Sequence, residues 1–224
     1  MSTRFKITSY EIKESKTGEK VPVVNGIHLH SIYNPIKEAE NFIEENKGLL
    51  KENSNILVLG LGFGYHIKEL IKQLKELHNN QFELCIIEPI HQLVNDSQEL
   101  YNSFENTKIL AELTIEELYS DRTFINFLVT KPALLAHPSS FNLSKSYFTN
   151  LLKYKSDNKL DKTRYLLQNP ILKNIFNDYP QELSLDELVE NKCNNKRSIE
   201  GEIDYIFHIY NELSKQVGPK EELR

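Results

Sequence analysis

Hydrophobic and polar residues over the first 140 positions follow two different periods, and the alternation of these periods predicts an α/β fold. Two short apolar runs, at 55–59 and 82–87, have the length and composition of strands that are buried on both faces. Between them, Ile67, Leu70 and Leu74 recur at the three- and four-residue spacing of one helical face. Strands that alternate with helices in this way predict βαβ units and a mostly parallel sheet.

The pattern continues with two further strands and their helices. A helix over about 91–103 is followed by a third strand that opens at 108–110. Thr114 and Glu117 have the spacing of a capping box, which predicts that a short helix begins at this point. The apolar segment 124–129 then predicts a fourth strand.

The segments on either side of this core differ from it in character. The chain before residue 33 alternates like a small β unit, and Asn34 followed by Pro35 suits the start of a helix. After residue 140 the sequence becomes charged, rich in asparagine and helical in its apolar spacing. These changes predict three parts: a β unit over residues 1–32, a Rossmann-like domain over residues 33–140, and a helical extension over residues 141–224 that packs on it.

Composition and charge narrow the function mainly by exclusion. With 39% hydrophobic and 26% charged residues in 224, the chain is typical of a globular protein. Its net charge of -5 argues against a general nucleic-acid binder, and we expect the basic run at 153–164 to be a solvated helix face. No window reaches the ~18 apolar residues of a membrane span. The two cysteines form no metal-ligand spacing, which favours a cytoplasmic location.

The candidate chemistry begins in the stretch ILVLGLGFGYH, residues 56–66. Gly60, Gly62 and Gly64 follow a predicted strand and open a predicted helix, where free backbone N–H groups favour anions and nucleotides. The dinucleotide fingerprint GxGxxG would need glycine at Tyr65, so NAD and FAD are disfavoured. The GxGxG spacing instead resembles motif I of S-adenosylmethionine (SAM) methyltransferases and spermidine synthases.

Acidic residues at the next two strand ends would complete such a cofactor site. Glu88 stands where related folds bind ribose hydroxyls, and Glu112 stands where they contact the adenine or its ribose. His66, at the start of the helix, could face the same ligand. Val58 departs from the methyltransferase pattern, which has an acid two residues before the first glycine. SAM or another nucleotide is one interpretation of the loop, and a purely structural turn is the other.

Histidines offer a further possibility, although the sequence predicts no metal site from them. His28 and His30 lie two residues apart on a predicted strand and would therefore face the same side. His137 could join them, but no cysteine or aspartate cluster accompanies the three. No catalytic triad order, paired-carboxylate signature or Walker loop is present, so the catalytic residues are unassigned and it stays open whether the chain is an enzyme.

Four segments, taken in order, resemble the N-terminal region of the motility accessory factor family: LHSIYNPIKEA (29–39), LGLGFGYH (59–66), IEPI (87–90) and HPSS (137–140). Proteins of that family are bacterial glycosyltransferases implicated in adding nonulosonic acids, such as pseudaminic acid, to flagellin. The resemblance spans roughly residues 25–140. The family's transferase chemistry is assigned to a later domain with a GxGPS-type loop, which this chain does not contain, and Asn34 replaces the aspartate of a YDP motif.

The resemblance implies a Rossmann-like domain and a ligand crevice, without the transferase site. The implied crevice residues are Gly60, Gly62, Gly64, Tyr65, His66 and Glu88, with His30, Ser31, Tyr33, Asn34 and His137 as substrate or partner contacts. We therefore expect a stand-alone domain that binds a nucleotide-like ligand, or a protein of a surface-glycan, flagellin glycosylation or motility system. The alternatives are a SAM-dependent transferase, of the methyltransferase or aminopropyltransferase type, and a non-catalytic interaction module.

Overall fold

The computed structural model describes residues 6–98, 104, 106–155, 159–160, 170, 174, 177, 179–184 and 186–187. The chain divides into two compact units, Met1–Tyr154 and Lys155–Arg224. The division falls after residue 154 and not near residue 140, so residues 141–154 belong to the first unit. Most of the extension predicted from the sequence, including most of the basic run at 153–164, lies outside the described residues.

The predicted β unit is present as an antiparallel sheet formed by β1 (Tyr10–Glu14), β2 (Lys20–Val24) and β3 (Ile27–His28). Strands β2 and β3 are joined by Asn25 and Gly26, whose φ values are 49° and 79°. Two consecutive residues with positive φ make the tight hairpin turn that Asn-Gly pairs favour. The sheet is tied to the rest of the unit by a hydrogen bond from the Tyr10 hydroxyl to Asp96 Oδ2, 2.6 Å long.

The central sheet is parallel and consists, within the described residues, of β4 (Asn55–Leu59), β5 (Glu83–Glu88), β6 (Thr107–Ala111) and β7 (Ala133–Ala136). The strands lie in the order β6-β5-β4-β7. The chain therefore builds outward from β4 in one direction and then returns to the other side of β4. This arrangement is the Rossmann-like order of an α/β fold, as the sequence predicted.

Helices connect the strands: α1 (Pro35–Glu45), α2 (Lys47–Glu52), α3 (Tyr65–His78), α4 (His91–Asp96), α5 (Ile115–Leu118), α6 (Arg122–Val129), α7 (Pro138–Leu143) and α8 (Lys145–Leu152). The two predicted helix starts are confirmed. The Asn34 side chain accepts a hydrogen bond from the backbone N–H of Lys37, and Thr114 with Glu117 forms a complete capping box. No helix in the described part of the chain is both long enough and apolar enough to cross a membrane.

The central sheet buries both of its faces. On one face, Ile56 and Val58 of β4 pack with residues of α1 and α3 such as Ile43 and Leu70. On the other face, Leu57 and Leu59 pack with Phe124, Phe127, Phe148 and Leu151 of α6 and α8. Neighbouring residues of β4 thus point to opposite sides, which explains why the strand is apolar without interruption.

The predicted fourth strand over 124–129 is wrong, because that segment forms α6. Asp121 caps the helix by accepting a hydrogen bond from the N–H of Phe124. Phe124, Phe127 and Leu128 then follow the helical spacing that points apolar side chains to one face. The fourth strand is the four-residue run ALLA that follows, in which Leu135 is buried.

Candidate functional site

Three segments of the chain meet at the carboxyl ends of β4 and β7, where the strand order reverses. The glycine loop (residues 60–64) leaves β4, and His137 directly follows β7. The backbone N–H of His137 donates to the Leu59 carbonyl over 3.0 Å, which fixes the two strand ends side by side. His30 reaches the same place from the segment between β3 and α1. Open α/β sheets bind their ligands at such a reversal.

The glycines of the loop allow the protein's own side chains to approach the backbone. Gly60 and Gly62 have φ values of 93° and 51°, which an L side chain rarely adopts. A Cβ atom on Gly60 would overlap the Cβ of Ser140, and one on Gly62 would lie 2.5 Å from Nε2 of His30. Gly64, the N-cap of α3, also has a left-handed backbone. Ser140 and His30 therefore occupy the space in front of this loop.

The backbone N–H groups of the loop already have acceptors within the protein. Leu61 donates to Glu88 Oε2 over 2.8 Å, and Phe63 donates to His30 Nε2 over 2.9 Å. The other oxygen of Glu88 accepts from the N–H of Ile90 over 3.0 Å. Burial raises the pKa of Glu88 to about 7, against the opposing effect of the N–H groups that it accepts from. A nucleotide on this loop would have to displace both His30 and Glu88.

Three buried histidines form a cluster beside the loop. His30, His66 and His137 each offer a ring nitrogen, and these atoms lie within 4.8 Å of one another. The rings of His66 and His137 are stacked, with centroids 4.1 Å apart. The cluster lines a cavity of about 70 Å³ together with Glu38 and Phe42. We refer to these residues and this space as the histidine cluster and the histidine cavity.

The prediction that His28 and His30 face the same side of one strand is wrong. Strand β3 ends at His28, so the two residues do not share the alternation of one strand. His28 is partly exposed, whereas His30 turns inward and is 3% exposed. His66 takes its place in the cluster, because the first turn of α3 directs that side chain back toward the end of β4.

Each histidine of the cluster has one ring nitrogen within hydrogen-bonding distance of a neighbouring group. His66 Nε2 is 3.0 Å from the Gly60 carbonyl and therefore carries a proton, whereas its Nδ1 is buried without a hydrogen-bond partner among the described residues. His137 Nδ1 is 2.8 Å from Ser140 Oγ.

His30 Nε2 accepts the Phe63 N–H, so its Nδ1 carries the proton and faces Glu38 Oε2 at 3.6 Å. Burial lowers the pKa of His66 to about 3 and also holds the pKa values of His30 and His137 below the usual range. All three rings are therefore neutral at neutral pH.

A surface groove of about 440 Å³ adjoins the histidine cavity and shares Glu38 and Phe42 with it. Its lining includes Ser31, Tyr33 and Asn34, the residues that the sequence assigned to a substrate or partner. Tyr33 is 59% exposed, and the Lys16 ammonium lies 4.3 Å from the centre of its ring. We call this space the α1 groove, since α1 supplies the rest of its lining.

Two of the predicted cofactor residues have other contacts. The Tyr65 hydroxyl donates to the Lys20 carbonyl over 2.8 Å, which ties α3 to the N-terminal sheet. Glu112 is exposed, has a φ of 56°, and pairs with His91 at 4.0 Å, next to the end of the outer strand β6. Glu38 and Ser140 were not predicted as site residues, although both lie within the segments that carry the resemblance.

Comparison with known proteins adds little to this geometry. No protein-family model and no curated protein matches the chain. Among solved structures, the crystal structure of MnmC2 from Aquifex aeolicus is similar over 63% of this chain, with 18% identity and a TM-score of 0.38. The chain covers 63% of the length of that structure. The likeness is partial, and the α/β fold of this chain therefore rests on its own strand order.

Proposed function

We propose that this chain is a Rossmann-like domain related to motility accessory factor proteins, which binds a nucleotide-like ligand in a surface-glycan or motility pathway. The support is that the four segments of the resemblance contact one another in space. His30 of the first segment accepts from Phe63 of the second, and Leu61 of the second donates to Glu88 of the third. Ser140 of the fourth packs against Gly60. Segments that are separate in sequence thus form one contact unit at the reversal of strand order.

The α1 groove is the place that suits such a ligand. Its volume of about 440 Å³ falls in the usual range of small-molecule sites. Tyr33 offers an exposed ring for base stacking, and Lys16, whose ammonium lies over one face of that ring, offers a positive charge for a phosphate. The Asn34 and Asn41 side chains supply hydrogen-bonding groups for sugar hydroxyls.

A second groove, of about 570 Å³, fits the proposal less well despite its larger volume. It is lined by Glu83 and Thr107, at the amino ends of β5 and β6, and by Thr123 and Phe127 of α6. Ligands of open α/β sheets lie outside the carboxyl ends of the strands, which is the end occupied by the α1 groove and the histidine cluster.

Calorimetry with cytidine, uridine and guanosine mono- and diphosphates tests the proposal. We expect heat of binding with at least one of them, and a loss of about tenfold in affinity on Tyr33→Ala, since base stacking on an aromatic ring contributes about 1–3 kcal/mol. Val129→Ala is the matched control, because Val129 is an exposed apolar residue of α6, outside the groove. The absence of heat with every nucleotide at millimolar concentration would contradict the proposal.

The methyltransferase alternative is tested in the same experiment by adding SAM and S-adenosylhomocysteine. The contacts of Glu88 weigh against it, since both carboxylate oxygens already accept backbone N–H groups. Val58, at the position where methyltransferases carry an acid, is a fully buried core residue. Heat with SAM but with no other nucleotide would favour the alternative. The interaction module is favoured if no small molecule binds.

A further inference from the structure

We propose that the histidine cluster binds a transition-metal ion of the zinc class through His30, His66 and His137. This site rests on different observations from the nucleotide proposal, although the histidine cavity shares Glu38 and Phe42 with the α1 groove. The ion would connect three segments that are far apart in sequence: the segment between β3 and α1, the start of α3, and the end of β7.

The first observation is the buried ring nitrogen of His66. His66 is 1% exposed, and its Nδ1 has no hydrogen-bond partner among the described residues. A buried polar atom without a hydrogen-bond partner destabilises the folded state, because its contact with water is lost and not replaced. Because Nε2 carries the proton and contacts the Gly60 carbonyl, Nδ1 holds a free lone pair. A metal ion would use that lone pair and remove the penalty.

The second observation is that every ring is oriented by a partner on its other nitrogen. Metal-binding histidines usually donate their second ring N–H to a carbonyl, hydroxyl or carboxylate, which fixes the tautomer. In this cluster the Gly60 carbonyl orients His66, Ser140 Oγ at 2.8 Å orients His137, and Glu38 at 3.6 Å orients His30. With His137 donating Nδ1–H to Ser140 Oγ, the unprotonated nitrogens are Nδ1 of His66 and Nε2 of His137 and His30, of which His30 Nε2 accepts the Phe63 N–H.

The third observation is the separation of the ligand atoms. Zinc–nitrogen bonds of about 2.0–2.1 Å place tetrahedral ligands about 3.4 Å apart. One ring nitrogen from each residue lies within 4.8 Å of the others, so the spacing itself requires shifts of less than about 1 Å. Because the rings of His66 and His137 are stacked at an interplanar angle of 5°, binding also requires one of these rings to turn, so that both lone pairs point at the same ion. The cavity of about 70 Å³ provides room for one ion, and Glu38, which also lines it, provides a negative charge close by.

Binding changes one existing hydrogen bond. Nε2 of His30 now accepts the Phe63 N–H, and coordination would replace that proton donor with the metal ion. No proton leaves a histidine, because all three rings are neutral and present a lone pair. Three imidazoles without a thiolate suit zinc, cobalt or nickel better than calcium or magnesium, which prefer oxygen ligands.

Cobalt substitution tests the site in the full-length protein. The protein is stripped with a chelator and titrated with Co²⁺, and its visible absorption is followed before and after zinc is added. We expect one equivalent of Co²⁺ to give a d–d band that Zn²⁺ abolishes. His66→Gln and His137→Gln should each lose the band, whereas His91→Gln should retain it, since His91 lies outside the cluster on α4.

X-ray absorption of the zinc-loaded wild-type protein keeps the proposal testable if the variants do not fold. Scattering from three imidazole rings is the expected result. An absent band in the folded wild-type protein, or a band that survives both His66→Gln and His137→Gln, would overturn the proposal. An absent band would mean that the histidine cluster does not bind the ion, and a surviving band would mean that Co²⁺ binds to other groups.

Discussion

Ionisation of Glu88 should lower the free energy of unfolding of the protein as the pH rises from about 5.5 to about 8.5. Burial under the glycine loop raises the pKa of Glu88 from 4.5 to about 7. Between these two values the folded protein holds a proton that the unfolded chain has released, so a rise in pH favours unfolding. The full shift corresponds to about 3 kcal/mol, of which about 2 kcal/mol falls between pH 5.5 and pH 8.5.

The measurement is urea denaturation, followed by circular dichroism, of the wild-type protein and of Glu88→Gln at both pH values. Glutamine keeps the shape of the side chain but does not titrate. His66 and its neighbours have lowered pKa values, so they change stability in the opposite direction, with a loss as the pH falls below about 6.5. They are present in both proteins, and the difference between the two free energies of unfolding therefore isolates Glu88.

We expect the free energy of unfolding of the wild-type protein, minus that of Glu88→Gln, to fall by about 2 kcal/mol between pH 5.5 and pH 8.5. Glu83→Gln, at the exposed start of the same strand, controls for the removal of a carboxylate. A difference that is flat, or that rises with pH, would refute the reasoning. It would mean that the N–H groups of Leu61, Gly62 and Ile90 keep the buried carboxylate ionised.

Two further substitutions test the packing around the site by urea denaturation. Gly60→Ala should destabilise the protein by at least about 1–3 kcal/mol, because alanine is strained at a φ of 93° and its Cβ overlaps Ser140. Adding Ser140→Gly should recover part of that loss, and no recovery would show that the overlap is relieved in another way. Phe148→Ala should cost about 3–5 kcal/mol, since the ring is fully buried in the first unit. Leu152→Ala, at an exposed site of the same helix, is its control, and equal effects of the two would contradict the assignment of α8 to this core.

The sequence predicted the strands and helices of the fold better than the side-chain contacts that form the site. The uninterrupted apolar runs at β4 and β5 identified strands buried on both faces, because a strand with one solvated face would alternate with polar residues. The segment that forms α6 was wrongly predicted, since a six-residue apolar run fits a strand or a buried helical turn equally well. The cap at Asp121 was the signal that could have decided it.

The site itself depends on strand order, which no local pattern contains. Glycines were expected where the backbone needs positive φ and close approach, and both are present at Gly60 and Gly62. The groups that approach them are Ser140 and His30, and only the placement of β7 beside β4 brings Ser140 there. His66 joined the cluster for the same reason, because His137 reaches it from the end of β7.

The carboxylate of Glu88 joins two loops with one side chain. It accepts the N–H of Leu61 in the loop after β4 and the N–H of Ile90 in the loop after β5. Either loop can therefore move away from Glu88 only by breaking one of these hydrogen bonds. Displacing this one carboxylate therefore removes a hydrogen-bond acceptor from both loops at once.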